Sequence, residues 1–277
     1  MKPRAWLLVE HPGPWPERVE EITGPQGLVD AIGAAPAAGV RPQLIRRPGR
    51  GRRATPPVRV YIGWSYGSDV WIETRELDDH GQLAEIDFAA LAAGRRPGWG
   101  ESVEEPVLLV CTHGRRNACC ARTGAPLARR LASRFGALVW ETTHVGGDRY
   151  AANLVCLPHA VYYGNLGPDE AETAVSAYLN GEVVLDNLRG RAGTPEPAQA
   201  AEHAVRTRTG VLDVAGVTVE TLSGASPHTA VVSAGGKRYR VVVERAEEPG
   251  GCGPECRERL QTHLVTDLTL LNEAALV

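Results

Sequence analysis

Residues 107–120, VLLVCTHGRRNACC, and residues 140–154, WETTHVGGDRYAANL, decide how this chain reads. Cys111 closes the apolar run 107–110, and Cys120 follows after an arginine-rich polar loop. His144 stands beyond a second apolar run, 137–140. Two strand ends therefore present metal-type donors to one place. Between Cys111 and Asn153 lie three of the six cysteines and two of the eight histidines, with a Gly146–Gly147 turn that allows close backbone approach.

Outward from this stretch, apolar periodicity predicts strand 107–111, helix 124–135, strands 137–141, 153–157 and 160–163, and helix 168–179 with an acidic first turn. Upstream a similar order recurs: strand 5–9, helix 25–35, strands 43–46, 58–63 and 69–74, and helix 83–93. Two related α/β units are expected, at 1–104 and 105–190, and only the second carries cysteines. The tryptophans at 6, 64 and 71 are expected to pack the first unit. Residues 189–199, RGRAGTPEPAQ, read as a linker into a small α+β region, 191–277. That region should hold helix 198–207 and strands 217–222, 229–234, 237–245 and 262–271, with GGK at 235–237 as a tight hairpin. Its GGCGPEC stretch carries Cys252 and Cys256.

With 43% hydrophobic and 23% charged residues the composition is that of a globular protein, long enough to bury a sizeable core. A net charge of -3 leaves no nucleic-acid footprint, and the basic run 46–53 lacks interleaved aromatics and reads as a solvated loop. The apolar start is too short for a signal peptide, and no run has the length of a membrane span. A cytoplasmic protein is expected. Thiols stay reduced there, so the cysteines read as metal or redox groups rather than disulfides.

Thiolates suit zinc, copper(I) and iron-sulfur clusters, and imidazole joins them at zinc or at the histidine-ligated iron of a two-iron cluster. Structural zinc commonly shows CxxC pairs, and this chain has none. Cys119 is an alternative donor, pointing away from Cys120 if the backbone there is extended. Cys156 lies mid-strand and reads as core. His113 and His159 read as structural or surface groups, with a supporting role at the site open to one of them. Arg115, Arg116 and Arg149 flank the donors, and their positive charge would raise the potential of a bound cluster.

The segments VCTHGRRNACC (110–120), HVGGDRYAANLVCLPHAVYYG (144–164) and WLLVEHPGPW (6–15) resemble the sucrase/ferredoxin-like proteins, including the fungal Apd1-type thioredoxin-like ferredoxins, over most of 1–190. The resemblance implies a thioredoxin-like fold binding a [2Fe-2S] cluster. It assigns Cys111 and Cys120 as cysteine ligands and His144 as the first histidine. Where the fungal-type motif reads HxGGH this chain reads HVGGD, which puts Asp148 in the place of the second imidazole. A carboxylate is a hard donor, uncommon on such clusters, so Cys119, Cys252 and Cys256 stay open as the fourth ligand beside Asp148.

The leading function is electron transfer through a cluster held by Cys111, Cys120, His144 and Asp148, to or from an unidentified redox partner protein, with no nucleic acid and no membrane. A thiol oxidoreductase using Cys119 or Cys120 is the alternative, although CxxC is missing. A cluster-free binding module is a further reading. The sucrase in the family name finds no paired carboxylates to support it.

Overall fold

The computed structural model describes residues 3–49, 57–249 and 259–271. In the first half, strands β1 (Ala5–Glu10), β2 (Val40–Arg46), β3 (Val58–Trp64), β4 (Trp71–Leu77) and β5 (Glu101–Ser102) accompany helices α1 (Gln26–Ala34) and α2 (Phe88–Ala92). In the second half, β6 (Val107–Cys111), β7 (Val139–Thr142), β8 (Leu154–Leu157), β9 (Val161–Tyr163) and β10 (Leu188–Arg191) accompany α3 (Ala118–Phe135) and α4 (Pro168–Leu179). All ten strands join one mixed sheet in the order β10-β9-β8-β6-β7-β2-β1-β3-β4-β5.

The two halves trace the same path. β1 and β2 are parallel around α1, and β3 lies antiparallel on the other side of β1. β6 and β7 are parallel around α3, and β8 lies antiparallel on the other side of β6. They meet where β2 runs antiparallel to β7, pairing Ile45 with Thr142 and Arg46 with Glu141. The thioredoxin-like α/β arrangement expected from the sequence thus occurs twice, related across that seam.

Strand alternation divides the core. Leu7, Val9 and Leu44 pack with Leu28 and Ile32 of α1, while Leu108, Val110 and Val139 pack with Leu127 and Leu131 of α3. On the opposite face Trp6, Leu8, Ile45 and Tyr61 share one cluster with Leu109, Trp140, Val155, Leu157 and Tyr162. That face is apolar from both halves because the sheet curls over it, and Trp6 and Leu157 line one small hollow there. β1 and β6 are covered on both faces, which is why they read as unbroken hydrophobic runs. Trp6 accordingly belongs to the shared face rather than to the first unit's own core, where Trp71 is buried and Trp64 packs alongside.

Downstream, α5 (Glu196–Thr209) packs on a four-stranded antiparallel sheet of β11 (Val217–Ser223), β12 (His228–Ala234), β13 (Lys237–Pro249) and β14 (Arg259–Leu271). Gly235 and Gly236, at φ 56° and 74°, form the expected two-residue hairpin turn between β12 and β13. No helix among the described residues is long and apolar enough to cross a membrane.

Four local expectations change. The helix expected at 83–93 is a 3-10 turn, His80–Glu85, followed by α2. Asp79 and Asp87 accept bonds from the Gly81 and Ala90 amides and start two separate elements. α3 begins six residues before its expected start, capped by Asn117, and carries Pro126 in its interior. The linker-like 189–199 is in fact an edge strand and a helix start, because residues 188–191 pair with β9. In the basic run, Arg46 pairs with Glu141 at 2.7 Å and Arg47 lies over the Trp140 ring, so these two are packed rather than solvated; residues 50–53 lie outside the described residues.

Candidate metal centre

The site forms where β6 and β7 end, against the N-terminus of α3. Cys111 is the last residue of β6, and its amide donates to the Asn153 carbonyl at 3.0 Å. Only six residues, 112–117, separate it from α3, so the helix starts beside the strand it leaves. The Asn117 side chain accepts from the Cys119 amide at 2.8 Å and fixes the first turn, with Cys120 its third residue. Gly124 allows the close approach: a Cβ there would lie 2.0 Å from the Cys111 carbonyl oxygen.

His144 sits in the loop after β7, and the first half of the molecule holds that loop. Arg41 Nη2 and Gln43 Nε2 of β2 donate to the His144 carbonyl at 2.8 and 3.3 Å. The Gln43 side-chain oxygen accepts from the hydroxyls of Thr142 and Thr143, at 3.1 and 2.7 Å. The His144 amide donates to His113 Nδ1 at 3.1 Å, so Nε2 of that ring carries the proton and donates to the Pro16 carbonyl at 2.7 Å. Both nitrogens of buried His113 are thereby used for bracing. Gly146 and Gly147 turn the chain at φ 92° and 71°; Asn153 Nδ2 donates to the Gly147 carbonyl, and Arg189 Nη1 to that of Gly146.

The donor atoms of Cys111, Cys120 and His144 all lie within 4.8 Å of one another. Tetrahedral thiolate donors on one ion stand about 3.8 Å apart, from metal–sulfur bonds of about 2.3 Å. The trio therefore has the size of a metal centre. Among the described residues His144 Nδ1 is buried with no hydrogen-bond partner, an uncommon condition for a polar atom and one that ligation relieves. The Cys111 thiol is held well below its usual range, chiefly by a hydrogen bond with Cys120 and further by His144 and the amides of His113 and Val145, against the opposing effect of burial. Two thiols and one imidazole are the donor set of a soft or borderline metal.

Other residues singled out from the sequence fall elsewhere. Cys119 is in the helical first turn, not extended, and its Sγ accepts from Arg122 Nη2 at 3.4 Å. Cys156 is sealed in the core beside α3 and α4, and burial pushes its thiol up. His159 is engaged by Tyr178, with Nδ1 2.8 Å from the phenol oxygen. The backbone of Asp148 opens a 3-10 turn, Asp148–Tyr150, just past the two glycines, while its side chain lies outside the described residues, as do Cys252 and Cys256. Arg115, Arg116 and Arg149 are exposed. Four residues that matter to the geometry escaped the sequence reading: Arg41, Gln43, Arg189 and Gly124. Arg41, Gln43 and Arg189 have no local signature; Gly124, a glycine at the start of the expected helix 124–135, carried a signal that could have been followed.

A sequence profile described as Sucrase/ferredoxin-like matches residues 1–190. Altered inheritance of mitochondria protein 32 of Meyerozyma guilliermondii is 28% identical over 101 residues, 32% of this chain and 36% of that protein, so the likeness spans about a third of the relative. No solved structure matches.

Proposed function

This chain belongs to the Sucrase/ferredoxin-like family, and from that premise we propose that it is an electron-transfer protein holding a [2Fe-2S] cluster through Cys111, Cys120 and His144, with Asp148 as the fourth donor. The observation that carries the reading is the convergence of two thiols and an imidazole within 4.8 Å, with Nδ1 of the imidazole buried and unpartnered among the described residues. When bound, such a cluster takes up and releases single electrons. The protein's own contribution is to orient and shield. Gln43, Arg41 and His113 hold the His144 loop, Gly124 seats α3 against β6, and the curled apolar face keeps water from the two cysteines. We place the protein in the cytoplasm, where the thiols stay reduced until they take up iron.

Thiol chemistry is the weaker alternative. A nucleophilic cysteine must be reached by its substrate, and Cys120 is 0% exposed; Cys119 is partly exposed but lies outside the trio of Cys111, Cys120 and His144.

Anaerobic purification with iron and acid-labile sulfide analysis tests the proposal. The expected result is a coloured protein with iron and sulfide in equal amounts, about two of each per chain. Colourless protein carrying one zinc would make the centre a single-ion site, a reading favoured by the compactness of the trio. Asp148 is tested separately. Replacing a hard anionic donor by imidazole favours the reduced state, so Asp148→His should raise the midpoint potential. An Asp148→Ala protein with unchanged spectrum and potential would remove Asp148 from the ligand set.

A further inference from the structure

We infer that Arg189 is the counter-charge of the centre, a positioning residue whose guanidinium clamps the loop carrying His144 and Asp148 and favours the reduced state; this rests on the electron-carrier reading above. Arg189 stands on β10, and its Nη1 donates to the Gly146 carbonyl at 3.3 Å and to Asn153 Oδ1 at 2.6 Å. Asn153 is buried; its Nδ2 donates to the Gly147 carbonyl at 2.9 Å, and its own carbonyl accepts from the Cys111 amide at 3.0 Å. One fork thus ties the turn after His144 to the end of β6. Gly147 makes room for it, since a side chain there would collide with the guanidinium.

A clamp on two neutral acceptors does not need a charge. The other contacts of the guanidinium are the rings of Tyr150 and Tyr162, 4.4 and 5.7 Å from Cζ, and Arg189 makes no ion pair among the described residues. Burial pulls its pKa down; Tyr162, Tyr150 and Glu196 work against that, and Arg149 adds to it. A cation drawn partly out of water without a paired carboxylate is costly to keep. The charge it answers is that of the centre. Fully buried Tyr162 lies in the field of both: burial pushes its phenol up, Arg41 and Arg189 pull it down, and Cys111 pushes it up. Each electron taken up adds one negative charge at the centre, and a fixed cation sheltered from water stabilises that state and raises the potential. Arg115, Arg116 and Arg149 are exposed, so water and salt screen them. Of the four arginines, Arg189 is the one whose charge is sheltered.

The test compares Arg189→Gln, which removes the charge, with Arg189→Lys, which keeps the charge and gives up the fork. Both are made in the intact, iron-loaded protein and read by redox titration with dithionite and by iron loss to a chelator. Arg189→Gln should lower the reduced-to-oxidised ratio at a fixed potential by about 10-fold, about 59 mV for one electron, while Arg189→Lys stays within about 2-fold of the unaltered protein. Both should lose iron about 10-fold faster, because the hold on Gly146 and Asn153 is weakened. Arg149→Gln, which removes an exposed charge lying over the same Tyr150 ring, should change the ratio by less than about 2-fold. An unchanged potential in iron-bound Arg189→Gln overturns the counter-charge while leaving the electron carrier intact. An equal fall in Arg189→Gln and Arg189→Lys also overturns it, since that marks a displaced loop rather than a missing charge. If Arg189→Gln takes up no iron, Arg189→Lys decides: iron bound at the unaltered potential supports the charge, and equal failure to bind iron overturns it. Unaltered protein that never takes up iron overturns the electron-carrier reading itself, and the counter-charge with it.

Discussion

In the first half of the large sheet β1 ends at Glu10 and runs into a long connection, residues 11–25, before α1; in the second half β6 ends at Cys111 and only the six residues 112–117 precede α3. The strands take equivalent paths, yet their ends do different things. Glu10 accepts from the Arg59 amide near the start of β3, and the Trp15 indole donates to the His11 carbonyl. At the matching point of the second half, Cys111 meets Cys120 and His144. What differs is the side chain at the strand end and the length of the connection after it. A short loop brings the helix N-terminus, with its unbonded amides and positive field, against the strand. The longer loop of the first half instead reaches across the seam, where Pro16 accepts from His113 and Glu17 meets Arg116. One copy carries the donors and the other braces them.

The largest effect should come from breaking the asymmetry at its donors. Cys111→Ala and Cys120→Ala are each expected to abolish metal incorporation, read as loss of bound iron, because a buried site cannot substitute solvent for a missing thiolate. Iron retained at the wild-type level in either variant would mean that the donors lie elsewhere.

Next is the helix contact that the short loop creates. Gly124→Ala places a methyl group 2.0 Å from the Cys111 carbonyl oxygen, so α3 or β6 must shift, at a cost of about 2–4 kcal/mol in urea unfolding together with weakened metal retention. An unaltered midpoint would show that α3 does not need this approach.

A change in the bracing half should act at a distance in sequence. Gln43→Ala removes the bonds to Thr142, Thr143 and the His144 carbonyl in a buried place and is expected to destabilise by about 1–3 kcal/mol and to speed iron loss to a chelator. Unchanged chelation kinetics would confine Gln43 to folding.

The smallest effect is expected at Cys156→Ala, about 1 kcal/mol for a small core void, with iron content intact. Loss of colour in that variant would overturn the separation of Cys156 from the site.

Legibility followed the range of the interaction. The runs at 5–9, 58–63 and 107–111 announced strands because both sheet faces are covered and nearly every residue there is apolar. Cys111, Cys120 and His144 stood out because thiol and imidazole beside predicted strand ends are conspicuous in one dimension. Where side chains compete locally with the expected element, at Asp79 and Asp87, the reading failed because a cap overrode periodicity. It failed again at 188–191, whose polar residues join the sheet only because β9 offers a free edge.

Residue types and their order pointed by themselves to a repeated α/β chain with a cysteine–histidine group suited to a metal, since burial and ligand chemistry leave marks on each residue separately. Tertiary structure alone decided that β2 pairs with β7, that Arg41 and Gln43 hold the carbonyl of a histidine about a hundred positions away, and that Gly124 lets a helix settle on Cys111. Such contacts depend on which distant backbone groups meet at a seam, and a hydrogen bond or a missing methyl group has no meaning until the partner it faces is in place.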